Sequence, residues 1–188
     1  MTIKPVVQKG EGDLEKPSTD VVANDFHSAE MEVLLQDMLD TMLETQGIGI
    51  AAPQIGVNLR VIIFGGASDR YPGEEPFPLT KLINPTYKVL DETLEEGWEG
   101  CLSVKGVRGL VPRYKKIVYT GYDVEQKTLI TREASGFHAR VVQHECDHLE
   151  GKLFVSRVKN EDNLRHEDQG PLRTEAPLPS PKNDIRLT

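Results

Sequence analysis

Gln143-His144-Glu145-Cys146-Asp147-His148 is the stretch from which the rest of the chain can be read. Two histidines four residues apart stand one above the other on a single helical face, so both rings can reach one metal ion at about 2.0 to 2.1 Å, with Glu145 beside them. A divalent ion held there lowers the pKa of a bound water to about 7, and Glu145 is the base placed to take the proton. Cys146 lies two residues from each histidine and so about 200° around the helix, which turns its sulfur off the metal face and toward a core. The pattern predicts a helix, a metal and a hydrolytic reaction, and it leaves the third protein ligand open. His27, His138 and His166 lack a paired spacing and are read as surface or capping residues.

Outward from this block, the helical pattern begins near Phe137, with Ser135 at its start and Gly151 at its stop. Everything between it and the first third of the chain looks extended. Apolar runs at residues 59–64, 82–85, 87–90, 107–111, 116–122 and 128–133 predict short strands, the last two joined by a polar turn at 123–127. Gly65-Gly66 stops the first run, and residues 67–78, rich in proline, glycine and charge, read as a loop. Before the strands, Ser28 can cap a second helix in which Met31, Leu34, Leu35, Met38 and Met42 recur at helical spacing, with Glu30 and Glu32 in its first turn and Gly47 at its end. That apolar stripe is read as a core-facing surface. The fold class is α+β: antiparallel sheets packed around a central metal-binding helix. Residues 1–27 form an irregular N-terminal segment and 28–158 the catalytic domain. Residues 159–188, with Pro171, Pro177, Pro179 and Pro181 among many charges, form a disordered tail.

Composition closes off several function classes. The chain has 188 residues, 38% hydrophobic and 28% charged, and no apolar run approaches the roughly 20 residues a membrane span needs. A net charge of −8 is the wrong sign for direct binding of nucleic acid. Two cysteines, Cys101 and Cys146, are too few for a disulfide scaffold, so a thiolate ligand and inert core thiols are the readings that remain. The N-terminal residues carry no signal-peptide or transit-peptide pattern, and the cytoplasm is the expected location.

Two further blocks lie upstream: Glu99-Gly100-Cys101-Leu102-Ser103 and Gly47-Ile48-Gly49-Ile50-Ala51-Ala52-Pro53-Gln54. With the helical block, in this order, they resemble the three signature motifs of peptide deformylases, GxGxAAxQ, EGCxS and QHExDHxxG, and all three match in full. The similarity continues through Gly56-Val57, Ile83-Asn84-Pro85, Val111-Pro112-Arg113 and Gly136-Phe137-His138-Ala139-Arg140, covering residues 28 to 158. The resemblance implies removal of the formyl group from the N-terminal formyl-methionine of nascent polypeptides, with release of formate. It implies Cys101, His144 and His148 as metal ligands, Glu145 as general base and acid, and the Gln54 side chain and Leu102 backbone N–H as donors to the oxyanion. It implies Fe(II) in the cell, with Zn(II) or another divalent ion after handling in air, and a transient contact with the ribosome. Substrate would add as a strand beside Gly49 and Gly100. Ile48, Phe137 and Val141 would form the methionine slot, and Arg108 a basic contact to the peptide. Lys105 departs from the family, standing where many members have proline.

Two other functions are weighed against this one. An ordinary zinc endopeptidase would need a third His or Glu ligand downstream of the helix, and a binding module that has lost catalysis would lack one of the catalytic groups. Gln54, Cys101, His144, Glu145 and His148 are all present.

Overall fold

The computed structural model describes residues 2–66 and 73–166. The first helix, α1 (Ala29–Glu44), begins where Ser28 Oγ accepts the Met31 N–H at 3.1 Å and buries Met31, Leu34, Leu35, Met38 and Met42. Its end differs from the sequence expectation. Gln46, with φ of 54°, takes the left-handed position, and Gly47 follows it, donating its N–H to Met42 O at 2.8 Å. The Gln46 N–H to Leu43 O bond completes the pair that closes a helix in this way.

The strands β1 (Gly49–Ala51), β2 (Val61–Gly66), β3 (Phe77–Cys101), β4 (Val104–Asp123) and β5 (Thr128–Ser135) form one antiparallel sheet in chain order, and β6 (Leu164–His166) pairs with β4. The short runs predicted at 82–85 and 87–90 belong to the single strand β3, and those at 107–111 and 116–122 to β4. Register shifts interrupt the ladder at Ile83/Thr86, Val89/Asp91, Asp91/Leu94 and Gly100/Cys101, while Pro112, Arg113 and Tyr114, between the two runs of β4, keep regular partners on β3. At the first of them Asn84 adopts φ of 50°, and its side chain makes two hydrogen bonds to the Val21 backbone, at 2.9 and 2.8 Å. Phe77 and Pro78, placed in a loop by sequence, open β3, while residues 67–72 of that loop lie outside the described residues. Ordered structure also runs past Val158 into β6, where the sequence suggested a tail; residues 167–188 lie outside the described residues.

The second helix, α2 (Gly136–Leu149), packs against each of the strands β1 to β5. Ser135 precedes it without a side-chain capping bond. Gly151, at φ of 66°, ends it, with Gly151 N–H to His148 O and Lys152 N–H to Asp147 O at 3.1 and 2.9 Å. One face of α2 (Ala139, Val142, Cys146, Leu149) packs with Ile62, Phe64, Leu82, Ile117 and Tyr119 in the largest core. A second core lies between α1, β1 and β2, and a third joins Cys101, Val111 and Phe154. Cys146 is buried as its helical position requires, and burial pushes its thiol up to about 12. Among the described residues no helix is long and apolar enough to cross a membrane.

Candidate metal centre and active site

Three side chains from two elements converge on one spot. His144 and His148 project from α2 with ring centroids 5.1 Å apart, and Cys101 ends β3 at the turn into β4. One potential ligand atom from each of these three residues lies within 4.8 Å of the others. Cys101 Sγ is 3.3 Å from His148 Nε2, close to the roughly 3.6 Å that separates sulfur and nitrogen ligands on one tetrahedral zinc-type ion. A thiolate with two imidazoles is a donor set suited to a divalent transition metal. The residues fit such an ion.

The groups behind the ligands hold them in this arrangement. Glu99 Oε2 lies 2.9 Å from His144 Nδ1, which leaves Nε2 for the metal side, the usual role of a carboxylate behind a ligating imidazole. The same carboxylate accepts two bonds from Arg113, at 2.8 and 2.9 Å, and one from Arg140 at 2.9 Å. Burial alone would raise the Glu99 carboxyl, but the Arg113 and His144 hydrogen bonds outweigh it and hold it well below the usual carboxylate range. Arg113 also pairs with Asp147, which in turn pairs with Arg157. Arg140 reaches further, donating to the carbonyls of Val111 and Glu95 at 2.8 and 2.6 Å, and so ties α2 to both long strands. Glu99, Arg113, Arg140 and Asp147 were assigned no role from sequence. All four stand in stretches that carry the resemblance, and the need of a ligating histidine for a carboxylate behind it is the signal that points to Glu99.

Glu145 is buried beside the ligands, and Oε2 has no hydrogen-bond partner among the described residues. Burial pushes its carboxyl up to about 7. Gly49 makes its position possible, because a Cβ at residue 49 would lie 2.3 Å from Glu145 Oε1. Gln54 faces the same spot: its Oε1 accepts the Ala51 N–H at 2.9 Å, and Nε2 is 3.2 Å from Ser103 Oγ and 3.5 Å from Cys101 Sγ.

A pocket opens in front of these groups, lined by Ile48, Gly49, Gln54, Gly100, Cys101, Leu102, Phe137, Val141, His144 and Glu145 among others. Of the residues singled out from sequence, His148 lies behind the lining, within the ligand group. Arg108 does not line the pocket; it pairs with Gly100 across the β3–β4 ladder and with Arg165 of β6. His138, read as a surface or capping residue, is half-buried, stacked on Phe77 with centroids 4.4 Å apart and 3.4 Å from the Tyr119 hydroxyl. His166 lies in β6, and the metal-ligand group is completed upstream by Cys101, unlike the downstream ligand an endopeptidase reading requires.

Comparison with known proteins identifies the family. The polypeptide deformylase family model matches residues 3–164. Peptide deformylase 2 of Ralstonia nicotianae is 51% identical over 159 residues, covering 84% of this chain and 88% of the relative. Peptide deformylase 1 of Nitrosomonas europaea is 53% identical over 159 residues, 84% of this chain and 89% of the relative. Among solved structures, a class I type b peptide deformylase from Acinetobacter baumannii with Met-Ala-Ser bound superposes with a TM-score of 0.79 at 38% identity, over 83% of this chain and 98% of that one.

Proposed function

The chain belongs to the peptide deformylase family and is a metal-dependent hydrolase that removes the N-terminal formyl group from nascent polypeptides, and we propose that it does so with Cys101, His144 and His148 as metal ligands and Glu145 as the proton carrier. The observation that carries this assignment is the convergence of the three ligand atoms within 4.8 Å, with a buried carboxylate alongside. A divalent cation bound there supplies Lewis acidity and brings the ionisation of water toward neutral pH.

Glu145 accepts the proton of the attacking water and returns it to the departing amine nitrogen, a double role that suits a carboxyl raised toward neutrality. As the formyl carbon becomes tetrahedral, its oxygen gains negative charge, and Gln54 Nε2 and the Leu102 N–H donate to it. The peptide adds as a strand to β1, which is the end strand of the sheet and pairs with β2 alone among the described residues. Its backbone runs beside Gly49 and Gly100, which line the pocket, and Ile48, Phe137 and Val141 receive the methionine side chain. The Met-Ala-Ser bound to the Acinetobacter relative is a peptide of this kind. Arg108, one ladder position from the site, contacts the peptide further along.

Fe(II) is the native ion in this reading, with Zn(II) or another divalent metal as its replacement, since sulfur with two imidazoles serves either. The enzyme works in the cytoplasm with transient contact to the ribosome and, at a net charge of −8, without binding nucleic acid directly. Residues 28–158, extended by β6, are its catalytic domain.

The test is formate release from a short formyl-methionyl peptide by protein prepared anaerobically with Fe(II), beside a Glu145→Ala variant. Rapid release that the variant abolishes supports the assignment. No release by protein holding one metal per chain would overturn it.

A further inference from the structure

The turn between β3 and β4 is tight: Cys101 and Val104 pair, leaving only Leu102 and Ser103 between them. Two-residue hairpin turns ordinarily need a residue with positive φ. Neither Leu102 nor Ser103 has one. The turn therefore lacks the backbone geometry that would stabilise it locally, although the metal-ligating sulfur and the Leu102 N–H depend on its shape.

Bonds from outside the hairpin hold it. The segment from Val6 to Lys9, part of the irregular N-terminus, lies across the turn. The Gln8 side-chain amide donates to Leu102 O at 3.2 Å and to Val6 O at 2.9 Å, and the Lys9 N–H donates to Ser103 O at 2.8 Å. Both partners of Gln8 Nε2 are carbonyl oxygens, so the orientation of its amide is fixed by chemistry. One residue earlier, the Val7 N–H donates to Gln54 O at 2.9 Å. On the inner side of the turn, the Ser103 N–H points to Cys101 Sγ at 3.4 Å. The peptide between Leu102 and Ser103 is thus pinned on its oxygen by Gln8 and on its N–H by the ligand sulfur.

We propose that the N-terminal segment is a positioning element of the oxyanion site, holding Gln54 through the Val7 N–H and the Leu102–Ser103 turn through the Gln8 side chain and the Lys9 N–H. Gln8 is the one side chain in this set that touches neither substrate nor metal, so it can be altered separately. The inference rests on the reading of Gln54 and Leu102 as oxyanion donors. Oxyanion donors act on the transition state, where charge has developed, more than on bound substrate. Misplacing one lowers kcat and leaves KM nearly unchanged.

The test compares Gln8→Met, which keeps the length of the side chain and removes its donor, with Gln8→Lys, which restores a donor, and with Gln54→Leu. Each is measured for kcat, KM, metal content and thermal midpoint. Expected for Gln8→Met is a fall in kcat of about tenfold, the factor one ordinary hydrogen bond represents, with KM within twofold and full metal content. Gln8→Lys regains most of the loss, and Gln54→Leu falls further than Gln8→Met. Unchanged kcat in Gln8→Met beside a strong loss in Gln54→Leu would overturn the positioning role and leave the oxyanion reading intact. Unchanged kcat in Gln54→Leu would overturn both. A Gln8→Met loss that tracks lowered metal content or a lowered midpoint, or that Gln8→Lys fails to restore, would make Gln8 a structural residue and overturn the proposal.

Discussion

Replacing Glu99 by glutamine probes the support behind the metal centre without changing its shape. The carboxylate faces four donor groups: two on Arg113, one on Arg140 and the His144 ring nitrogen, at 2.8 to 2.9 Å. An amide keeps one oxygen and turns an NH2 toward donors that have nothing to give it, while Arg113 is left with Asp147 alone. Breaking a buried ion pair from one side costs about 3–5 kcal/mol. For a chain of this size that corresponds to a midpoint lowered by about 6 to 20 °C. His144 also loses the group that fixes its ring, which predicts metal binding weaker by about 10- to 100-fold. The pH dependence has a definite sign. Because the Glu99 carboxyl is held below its ordinary value of 4.5 in the folded protein, its contribution is fully present above that pH and fades as the pH falls toward the folded value. The stability gap between wild type and Glu99→Gln therefore narrows on acidification below about pH 4. Thermal unfolding across pH, with chelator competition for the metal, measures both effects. A midpoint within 2 °C of wild type, together with unchanged metal retention, would refute the reasoning.

Other substitutions read out different parts of the molecule. Gly49→Ala would set a methyl group 2.3 Å from Glu145 Oε1, so activity should fall at least about 100-fold because the displaced carboxylate is the proton carrier; steady-state kinetics would show it, and wild-type rates would contradict the packing described. In metal-free protein an alkylating reagent should modify Cys101, which lines the pocket, and spare Cys146, whose buried thiol is pushed up to about 12; peptide mapping distinguishes them, and labelling of Cys146 first would be inconsistent with its burial. Ser28→Ala removes the cap on α1 and should cost about 1 kcal/mol in denaturant unfolding with no change in kcat.

The metal helix, the strand-rich middle and the capped first helix were legible because each depends on local spacing. Cys101 was not legible that way. It lies far from the histidines along the chain, and only the block resemblance brought it to them. The division of β3 and β4 into short strands failed for a physical reason. Pro85 and Pro112 stand at the breaks between the runs, yet a bulge absorbs the first and the second keeps its place opposite Glu96; beyond residue 90, where no strand was read, β3 continues through Gly97, whose lack of a side chain admits a neighbour. A Cβ at Gly97 would meet the Arg140 guanidinium at 2.7 Å. Gln46 was passed over for Gly47 because glycine is the usual left-handed residue at a helix end. His138 was misjudged because its partners, Phe77 and Tyr119, come from distant strands. The N-terminal segment has no periodicity to read, since its contacts to the site run largely through backbone N–H groups.

The register shift beside Cys101 has a bearing on how freely this hairpin can change length. Gly100 pairs with Arg108 but Cys101 pairs with Val104, so Lys105, Gly106 and Val107 have no partner on β3. Gly106, at φ of 73°, lets the backbone loop outward there. A residue can be inserted beside Lys105 without breaking a pair on β3, whereas Gly106 is held by its positive φ and Val107 by its pairing with His166 and its place in the third core. A single deletion at Gly100 has no such buffer, because successive side chains of a strand alternate faces and the sulfur would turn away from the histidines. Lys105, the tolerant position, stands where many family members have proline.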